Sequence, residues 1–452
     1  MSSEGKDKDK AAAGAGDRAD GDAARAKTAK RAAFAVGAFG LVLLLDFQLA
    51  SLIPDSSIRQ LLMLAACNVL VALSLNVING MAGQFSIGHA GFMGLGGYTS
   101  AVVASQLHAS FGGGEVTFAR SFIVVPVCVL CSAGFAGLFG LLVGLPSLRL
   151  KGDYLAIVTL GFAEIFRLVI ATAREATDET PGHAWAAVRG IGGFFHAIGV
   201  SISALGGQNG YQGVNPNEGV PLYAGPFWVF GLTLVLGVLA WRLKFSGWGR
   251  ALRALREDEI AAAAVGVDPT RYKVTSFVIS SMGAGIAGGL MAIMRDGTPV
   301  VNPDNYNFQV SFDAITMVIL GGSGSVSGAA IGGVLITFTI KAIELVQGTA
   351  FVLDLKRQFD GLDLNALRMM VYASVLVALM VLRPEGLLGE RELFSKKGRK
   401  PKAKAEAKAK KDDDAPKAEA KAKKDDDAPE AEAKAKKDDD APKGDPPEGE
   451  AS

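Results

Sequence analysis

Apolar runs of membrane-spanning length dominate the chain and restrict its fold more than any other feature. An α-helix needs about 20 apolar residues to cross about 30 Å of hydrocarbon. Backbone polar groups inside a bilayer must be satisfied within the protein, and a helix satisfies its own. The runs that we interpret as spans are 32–53, 58–79, 85–106, 121–145, 154–172, 226–243, 273–294, 308–321, 326–347 and 366–383. The sequence therefore predicts an all-α polytopic membrane protein with about ten transmembrane helices.

The eighth run, 308–321, is too short to cross a bilayer unaided, so we expect a short or re-entrant helix enclosed by protein. We count it as a crossing because of the charges in the loops. Cytoplasmic loops of membrane proteins carry an excess of Lys and Arg. With the N-terminus inside, ten crossings place the basic loops 146–153 and 244–272 on the cytoplasmic side. The basic C-terminal segment lies on the same side. The charge distribution thus predicts cytoplasmic N- and C-termini.

Both ends of the chain are charged and of low complexity. Residues 1–31 are rich in Lys, Asp, Ala and Gly, and the unit KAKKDDDAP recurs within 391–452. Segments with so few apolar residues cannot bury a core, so both tails are predicted to be disordered. The membrane domain is accordingly 32–390. A net charge of +1 gives no support to nucleic-acid binding.

Small and polar residues crowd the stretch Ser74–Ser100, SLNVINGMAGQFSIGHAGFMGLGGYTS. Small residues let membrane helices approach closely, so we expect neighbours on several sides of this stretch. Its polar groups are costly in hydrocarbon unless they bond to protein or meet a water-filled path. The candidates for lining such a path are Asn79, Gln84, Ser86, His89 and Tyr98. Helix packing explains the same residues almost as well, so both interpretations stay open.

A charged pair lies inside one of the apolar runs. Glu164 and Arg167 are three residues apart, so they can pair along one helix face. Pairing lowers the cost of a single charge at mid-bilayer, which is about 2.5–3.5 kcal/mol. We expect an ion pair that stabilises helix packing or a subunit contact, with a place in the polar path as the alternative. The histidines and cysteines show no metal-ligand spacing, so no metal site is expected.

Several segments form an ordered set of motifs along the chain. They are LSLNVINGMAGQFSIGHAGFMGLGGYTS (73–100), LKGDYLAIVTLGFAEIFRLVI (150–170), GRALRALREDEIAAAAVGVDPTRYKVTSF (249–277), VILGGSGSVSGAAIGGVL (318–335) and LRPEGLLG (382–389). This set resembles the permease subunits of bacterial ABC importers for branched-chain amino acids, and the LivM-type subunit is the closer match. The likeness covers roughly residues 58–390 and leaves out the two charged tails.

The resemblance implies that 32–390 is a transmembrane permease domain for branched-chain or related hydrophobic amino acids. It implies three kinds of partner: a homologous second permease, two cytoplasmic ATPases and an external amino-acid-binding protein. It also implies location in the bacterial cytoplasmic (inner) membrane. The sequence lacks G-x-x-x-x-G-K-[ST], so it has no loop to cradle nucleotide phosphates. We therefore expect no enzymatic activity and no cofactor in this chain, with ATP and Mg bound by the partner ATPases.

Two loops are implied to dock these partners. The inner loop 244–272 resembles the EAA-type loop with which importer permeases dock their ATPases, although Ile260 interrupts the alanine pair. The coupling residues that this resemblance implies are Arg250, Arg253, Arg256, Glu259, Ala261, Ala262 and Gly266. The outer loop 173–225 contains GGQNGYQGV, similar to a family motif, which places Gly207, Asn209 and Gly210 at the seat of the binding protein. An extra segment, 177–204, precedes this motif.

Other functions stay open at this stage. Relatives of the same ABC class carry urea or short-chain amides. An ion-coupled secondary transporter would use broken helices and an intramembrane ion site. The few membrane carboxylates and the prominent inner loop disfavour that class. A membrane scaffold or a non-transporting channel is a further rival, which flux independent of a binding protein would identify.

Overall fold

The computed structural model describes residues 51–147, 154–173, 199–215 and 217–347, with scattered positions between 37 and 48 and between 370 and 393. The chain divides into two units, Met1–Phe394 and Ser395–Ser452, and every described residue belongs to the first. The predicted disordered tails lie outside the described residues, apart from Glu392 and Leu393.

Helices make up the described part of the chain, which contains no strand beyond two isolated bridges. Their bounds are α1 Ser56–Leu75, α2 His89–Ser110, α3 Phe118–Ser147, α4 Tyr154–Ala171, α5 Pro226–Phe245, α6 Gly247–Glu257, α7 Glu259–Ala264, α8 Pro269–Ala292, α9 Phe308–Gly321 and α10 Val326–Gln347. A π-helical turn, Asn76–Met81, continues α1, and 3-10 turns occupy Gly207–Asn209 and Pro303–Tyr306. The helical fold class is thus confirmed for these residues.

Six of the described helices are long and apolar enough to cross a membrane: α1 with its π turn, α3, α4, α5, α8 and α10. Every predicted span from 58–79 to 326–347 overlaps a described helix. The short eighth run coincides with α9, which has 14 residues. The predicted spans 32–53 and 366–383 lie largely outside the described residues, so the count of about ten crossings stays a prediction.

Close backbone contact between α2, α3 and α8 forms the centre of the bundle. A Cβ added to Gly96 would lie 2.0 Å from the carbonyl oxygen of Gly285, and one added to Gly288 would lie 2.0 Å from that of Met93. Ser132 of α3 donates its hydroxyl to the Gly96 carbonyl at 2.9 Å. Small residues therefore bring the backbones together, and dispersion at short range supplies the attraction that lipid cannot provide.

The outward faces of α3, α4 and α5 are apolar and exposed. Leu130, Ile157 and Leu239 are each more than half exposed, in contrast to the buried glycine contacts at the centre. Large apolar side chains on the outside of a membrane bundle suit contact with lipid tails. Small residues thus form the closest helix contacts inside the bundle, whereas large apolar residues cover these outward faces.

Polar contacts gather at two opposite ends of the bundle. One end, which we call the α6 end, holds the contacts Arg256–Gly80, Asn76–Gly324 and Lys244–Glu392. The opposite end holds Arg59–Asp296, His108–Tyr223, Trp228–Ser121 and Arg167–Asp304. Successive long helices begin at one end and finish at the other, which is the arrangement of a polytopic bundle.

The tight centre predicts a contrast between two glycines. Gly288→Ala places a methyl group against the Met93 carbonyl, so overpacking should lower the free energy of unfolding by about 1–3 kcal/mol. Gly134→Ala meets no atom within 4 Å and should leave stability unchanged or slightly raised. Thermal unfolding of the detergent-solubilised protein measures both. Equal melting temperatures for the two variants would contradict this account of the core.

Candidate functional site

A break in helical structure separates α1 from α2 at the α6 end. We call Asn76–Gly88 the helix break: it starts as a π-helical turn and continues without regular structure to Gly88. Gly83 has φ +68°, a backbone conformation that favours glycine. The predicted span 85–106 is therefore helical only from His89 onward. Short π-helical stretches occur frequently at functional sites.

The side chain of Asn76 joins the helix break to the glycine-rich loop between α9 and α10. Its Oδ1 accepts from the Gly324 backbone N–H at 2.8 Å, and its Nδ2 donates to the Ser325 carbonyl at 3.1 Å. Asn76 is fully buried. A Cβ on Gly80 would lie 2.4 Å from the Gly324 nitrogen, so the two glycines allow this approach. The buried amide thus satisfies backbone groups that helix ends leave free.

Three of the predicted path residues belong to the helix break. Asn79 Oδ1 accepts from the Ser86 backbone N–H at 3.2 Å, which folds the break back on itself. The Gln84 backbone N–H donates to the Ile78 carbonyl at 3.0 Å. The Oε1 atom of Gln84 is buried and has no hydrogen-bond partner among the described residues. We call Asn79, Gln84 and Ser86, which share this folded-back segment, the polar group of the helix break.

The other two predicted path residues lie in α2. His89 is 2% exposed, and its Nε2 lies 2.7 Å from the Ser74 hydroxyl. Tyr98 lies about 13 Å further along the helix axis, at a rise of about 1.5 Å per residue. Its ring packs against Phe166 and Tyr306, and its hydroxyl is buried without a partner in the described part of the chain. His89 is thus held in a packed contact, and Tyr98 lies apart from the helix break.

The charged residues of α4 form a three-membered group at the opposite end. Arg167 Nε donates to Glu164 Oε1 at 2.9 Å, and Arg167 Nη1 donates to Asp304 Oδ1 at 3.2 Å. The Asp304 side chain is 69% exposed, whereas those of Arg167 and Glu164 are 21% and 32% exposed. Asp304 was not predicted from the sequence, where it stands far from α4. The sequence feature that marks Asp304 is the turn motif NPDNY before α9.

The inner loop 244–272 contains two short helices, α6 and α7. α6 is fixed to the bundle by Leu252 and Leu255, which are 0% and 6% exposed. Ser246 and Asp258 cap the starts of α6 and α7 through their side-chain oxygens. Each cap fixes the direction in which the next helix leaves. The loop therefore has a defined shape at this end of the bundle.

The three arginines of α6 point to different partners. Arg250 and Arg253 are exposed and contact carbonyls close by in sequence. Arg256 instead donates from Nη1 to the carbonyl of Gly80 at 2.7 Å, across 176 positions of sequence. A hydrogen bond from a charged group contributes about 1.5–3 kcal/mol in general. Their regular spacing in sequence does not reveal this difference.

α7 exposes both its charged and its apolar side chains. Glu259 pairs with Lys273 at 2.6 Å, Ala262 is buried, and Ala261 is exposed. Gly266, with φ +89°, follows the end of α7. Two exposed residues were missed by sequence reasoning: Ile260 and Val265 are 84% and 80% exposed.

The outer motif forms a turn that rests on the loop before α9. Gly207 and Gly210 have φ +53° and +77°, and Asn209 is exposed between them. Tyr211 and Val301 exchange backbone hydrogen bonds of 2.9 and 3.0 Å. The two glycines and this backbone pairing thus define the shape of the turn, which lies at the end of the bundle opposite the α6 end. Most of the extra segment 177–204 lies outside the described residues.

A family model described as the permease component of branched-chain amino acid transport systems matches residues 57–380. The chain belongs to this family. It is 33% identical over 326 residues to the LivM permease protein of the high-affinity branched-chain amino acid transport system of Salmonella typhimurium, covering 71% of this chain and 67% of the relative. The resemblance to LivM-type permeases is therefore confirmed.

Two further relatives extend the comparison. A probable branched-chain amino acid transport permease protein LivM of Methanocaldococcus jannaschii is 25% identical over 72% of this chain and 91% of its own length. The LivH permease protein of Escherichia coli is 28% identical over 33% of this chain and 42% of its own length. No solved structure matches the chain.

A buried ion pair anchors the described C-terminal residues of this permease to the α6 end. Lys244 Nζ lies 2.5 Å from Glu392 Oε1, and the two side chains are 5% and 2% exposed. The same carboxylate accepts from the backbone N–H groups of Val326 and Ser327, so it caps the start of α10. Burial by itself would raise the pKa of Glu392, but the hydrogen bonds from Lys244, Ser327 and these amides together hold it below its ordinary value.

This pair predicts a pH-dependent stability. Since the pKa of Glu392 is lower in the folded permease than in the unfolded chain, its charge stabilises the fold above the ordinary carboxyl pKa. That contribution is lost as the pH falls through the lower folded-state value. Glu392→Gln should therefore lower the free energy of unfolding by about 3 kcal/mol at neutral pH and flatten its acid dependence.

Melting temperatures in detergent at a series of pH values measure this effect. Glu344→Gln is the matched control, because Glu344 forms an exposed pair with Lys341 that contributes little. An unchanged pH profile in Glu392→Gln would contradict the stabilising role of the buried carboxylate.

Proposed function

We propose that the chain is the membrane-spanning subunit of an ATP-driven, binding-protein-dependent importer for branched-chain or related hydrophobic amino acids. Membership of the permease family supports the class of cargo. The observation on which the ATP-driven mechanism rests is the α6–α7 loop, a shaped surface with the exposed apolar residues Ile260 and Val265 beside the helix break. Such a surface fits a soluble protein that pushes on the membrane domain.

The energy source is assigned to partner subunits. The sequence contains no G-x-x-x-x-G-K-[ST] motif, so two partner ATPases bind ATP and Mg in this proposal. Similarity to both LivM and LivH relatives supports a homologous second permease alongside this one. A binding protein selects the amino acid and docks at the outer turn that contains Gly207, Asn209 and Gly210.

The α6 end is assigned to the cytoplasm of a bacterial inner membrane. Basic residues at that end are Arg242, Lys244, Arg250, Arg253, Arg256, Arg271 and Lys273. Fewer stand at the opposite end, where Arg59 and Arg167 are already paired with carboxylates. The excess of Lys and Arg supports a cytoplasmic α6 end, and with it the predicted cytoplasmic termini.

Transport then follows from alternating exposure of the path between this chain and its homologous partner. The polar group of Asn79, Gln84 and Ser86 lies at the cytoplasmic end of that path. Weakly polar residues suit it, because the external binding protein supplies the selectivity. ATP binding changes the separation of the docked loops, and the bundles rock between inward and outward access as rigid bodies.

Reconstitution into vesicles tests the proposal. The chain together with a second permease, ATPases and a binding protein should accumulate leucine only when ATP and binding protein are present. Uphill uptake by the chain alone would overturn it. Uptake that follows an ion gradient after ATP depletion would establish a secondary transporter, and transport of urea or amides in place of leucine would reassign the cargo.

The docking surface gives a sharper prediction. Ile260→Asp puts a charge into an apolar contact, so the affinity for the ATPases should fall at least about tenfold, as for a central interface residue. Co-purification and binding assays in mild detergent measure it. Thr270→Asp, which adds the same charge at an exposed position of α8 nearby, should leave binding unchanged. Equal binding by both variants would exclude Ile260 from the contact.

A further inference from the structure

The side chain of Arg256 extends from the inner loop 244–272 to the end of α1. It comes from the last turn of α6, and its Nη1 lies 2.7 Å from the carbonyl oxygen of Gly80. Gly80 belongs to the π-helical turn with which α1 ends. A single side chain therefore connects the loop that would contact the ATPases to the helix break.

The Gly80 carbonyl needs such a donor. The last carbonyls of a helix have no partner further along it, because the chain turns away before the next N–H groups arrive. A cation at a helix C-terminus is also favoured by the alignment of the peptide dipoles. Arg256 meets both requirements, since it supplies a hydrogen bond and a positive charge.

Three glycines make a seat for the Arg256 side chain. A Cβ on Gly83 would lie 2.6 Å from Arg256 Cγ, and one on Gly324 would lie 3.2 Å from Arg256 Nη1. Gly80 itself touches Gly324, as described above. Because Cγ belongs to the stem of the side chain, it cannot easily move aside for a methyl group on Gly83. The seat is thus fitted to an extended arginine.

The seat continues directly into the polar group of the helix break. Gln84 and Phe85 follow Gly83 in the chain, and Phe85 is 45% exposed. Asn76, which is bonded to the loop after α9, precedes Gly80 by one helical turn. A displacement of Arg256 therefore acts on a segment that has no regular helix to resist it, and this segment holds the buried, unpartnered oxygen of Gln84.

We infer that Arg256 is a positioning residue for transport: it transmits movement of α6 to the helix break, so that residues 82–88 act as the gate at the α6 end. This inference rests on the proposed ATP-driven function. It goes further in two ways. It names the side chain that links ATP turnover to opening of the transport path, and it names the segment that opens. Arg250 and Arg253, with their contacts close by in sequence, do not make this connection.

The test uses the complete complex in vesicles and compares uptake of leucine with ATP hydrolysed per complex. Arg256→Met keeps an unbranched stem as far as the position of the arginine Nε and removes all the donors. We expect ATP hydrolysis to persist while leucine imported per ATP falls about tenfold. Arg256→Lys should restore most of the ratio, because an ammonium group can still donate to the Gly80 carbonyl. Arg242→Met, at an exposed arginine of α5 at the same end but outside the loop 244–272, should match the wild type.

A second measurement reports on the gate itself. Phe85→Cys, in a background with the exposed Cys131 replaced by serine, gives a single accessible thiol for labelling. Its labelling rate should differ between nucleotide-free and ATP-trapped complexes, and Arg256→Met should abolish that difference. Gly83→Ala, which displaces the arginine stem, should have the same effect if the methionine variant fails to assemble.

The possible results distinguish a failure of the proposed function from a failure of the role of Arg256. A wild-type complex without ATP-dependent uptake would remove the proposed function. A wild-type complex that couples normally, together with Arg256→Met and Gly83→Ala variants that keep the wild-type ratio and labelling difference, would overturn the role of Arg256 alone. Uptake and hydrolysis that fall together, with no rescue by lysine, would assign the residue to stability and also overturn the inference.

Discussion

A helix can stop inside a membrane bundle only if the backbone groups it leaves free find partners in the protein. The organisation of the α6 end follows from that requirement. The Asn76 side chain bonds to the backbone of Gly324 and Ser325 in the loop after α9, and Arg256 supplies a donor to the Gly80 carbonyl. Each contact joins segments far apart in the chain. The helix break is therefore held by the surrounding elements, and whatever displaces those elements also acts on the break.

Much of the architecture follows from local sequence. Apolar runs predict where the long helices lie because a continuous apolar run of about 20 residues satisfies its own backbone groups in lipid only as a helix. The small residues of Ser74–Ser100 predict a crowded segment, and α2 is indeed packed closely against α3 and α8. The short apolar run 308–321 likewise predicts the short helix α9. These features depend on the local composition of a stretch of residues, and local composition can be read directly from one sequence.

The details of the site depend on contacts that composition does not encode. Asp304 reaches Arg167 only because the turn before α9 lies beside the end of α4. Arg250, Arg253 and Arg256 are equivalent by spacing, yet only the third meets a helix break. The exposure of Ile260 likewise depends on how α7 leaves the Asp258 cap. In each case the chemistry of the residue was visible in the sequence, while its partner was set by the tertiary packing.

The attachment of α5 to α10 determines which helices would move if a partner displaced the α6 end. α6 follows α5 directly, and the end of α5 is held through the buried pair of Lys244 with Glu392, which also caps α10. Breaking that pair leaves a charge buried without compensation, so α5 and α10 are expected to move together. The helix break is instead held by hydrogen bonds: those of Asn76, that of Arg256 to Gly80, and one from the Ile87 backbone N–H to Thr159 Oγ1 of α4. In the proposed mechanism, a force on the loop displaces α5 and α10 together, and the resulting change in shape is taken up where the helix is already interrupted.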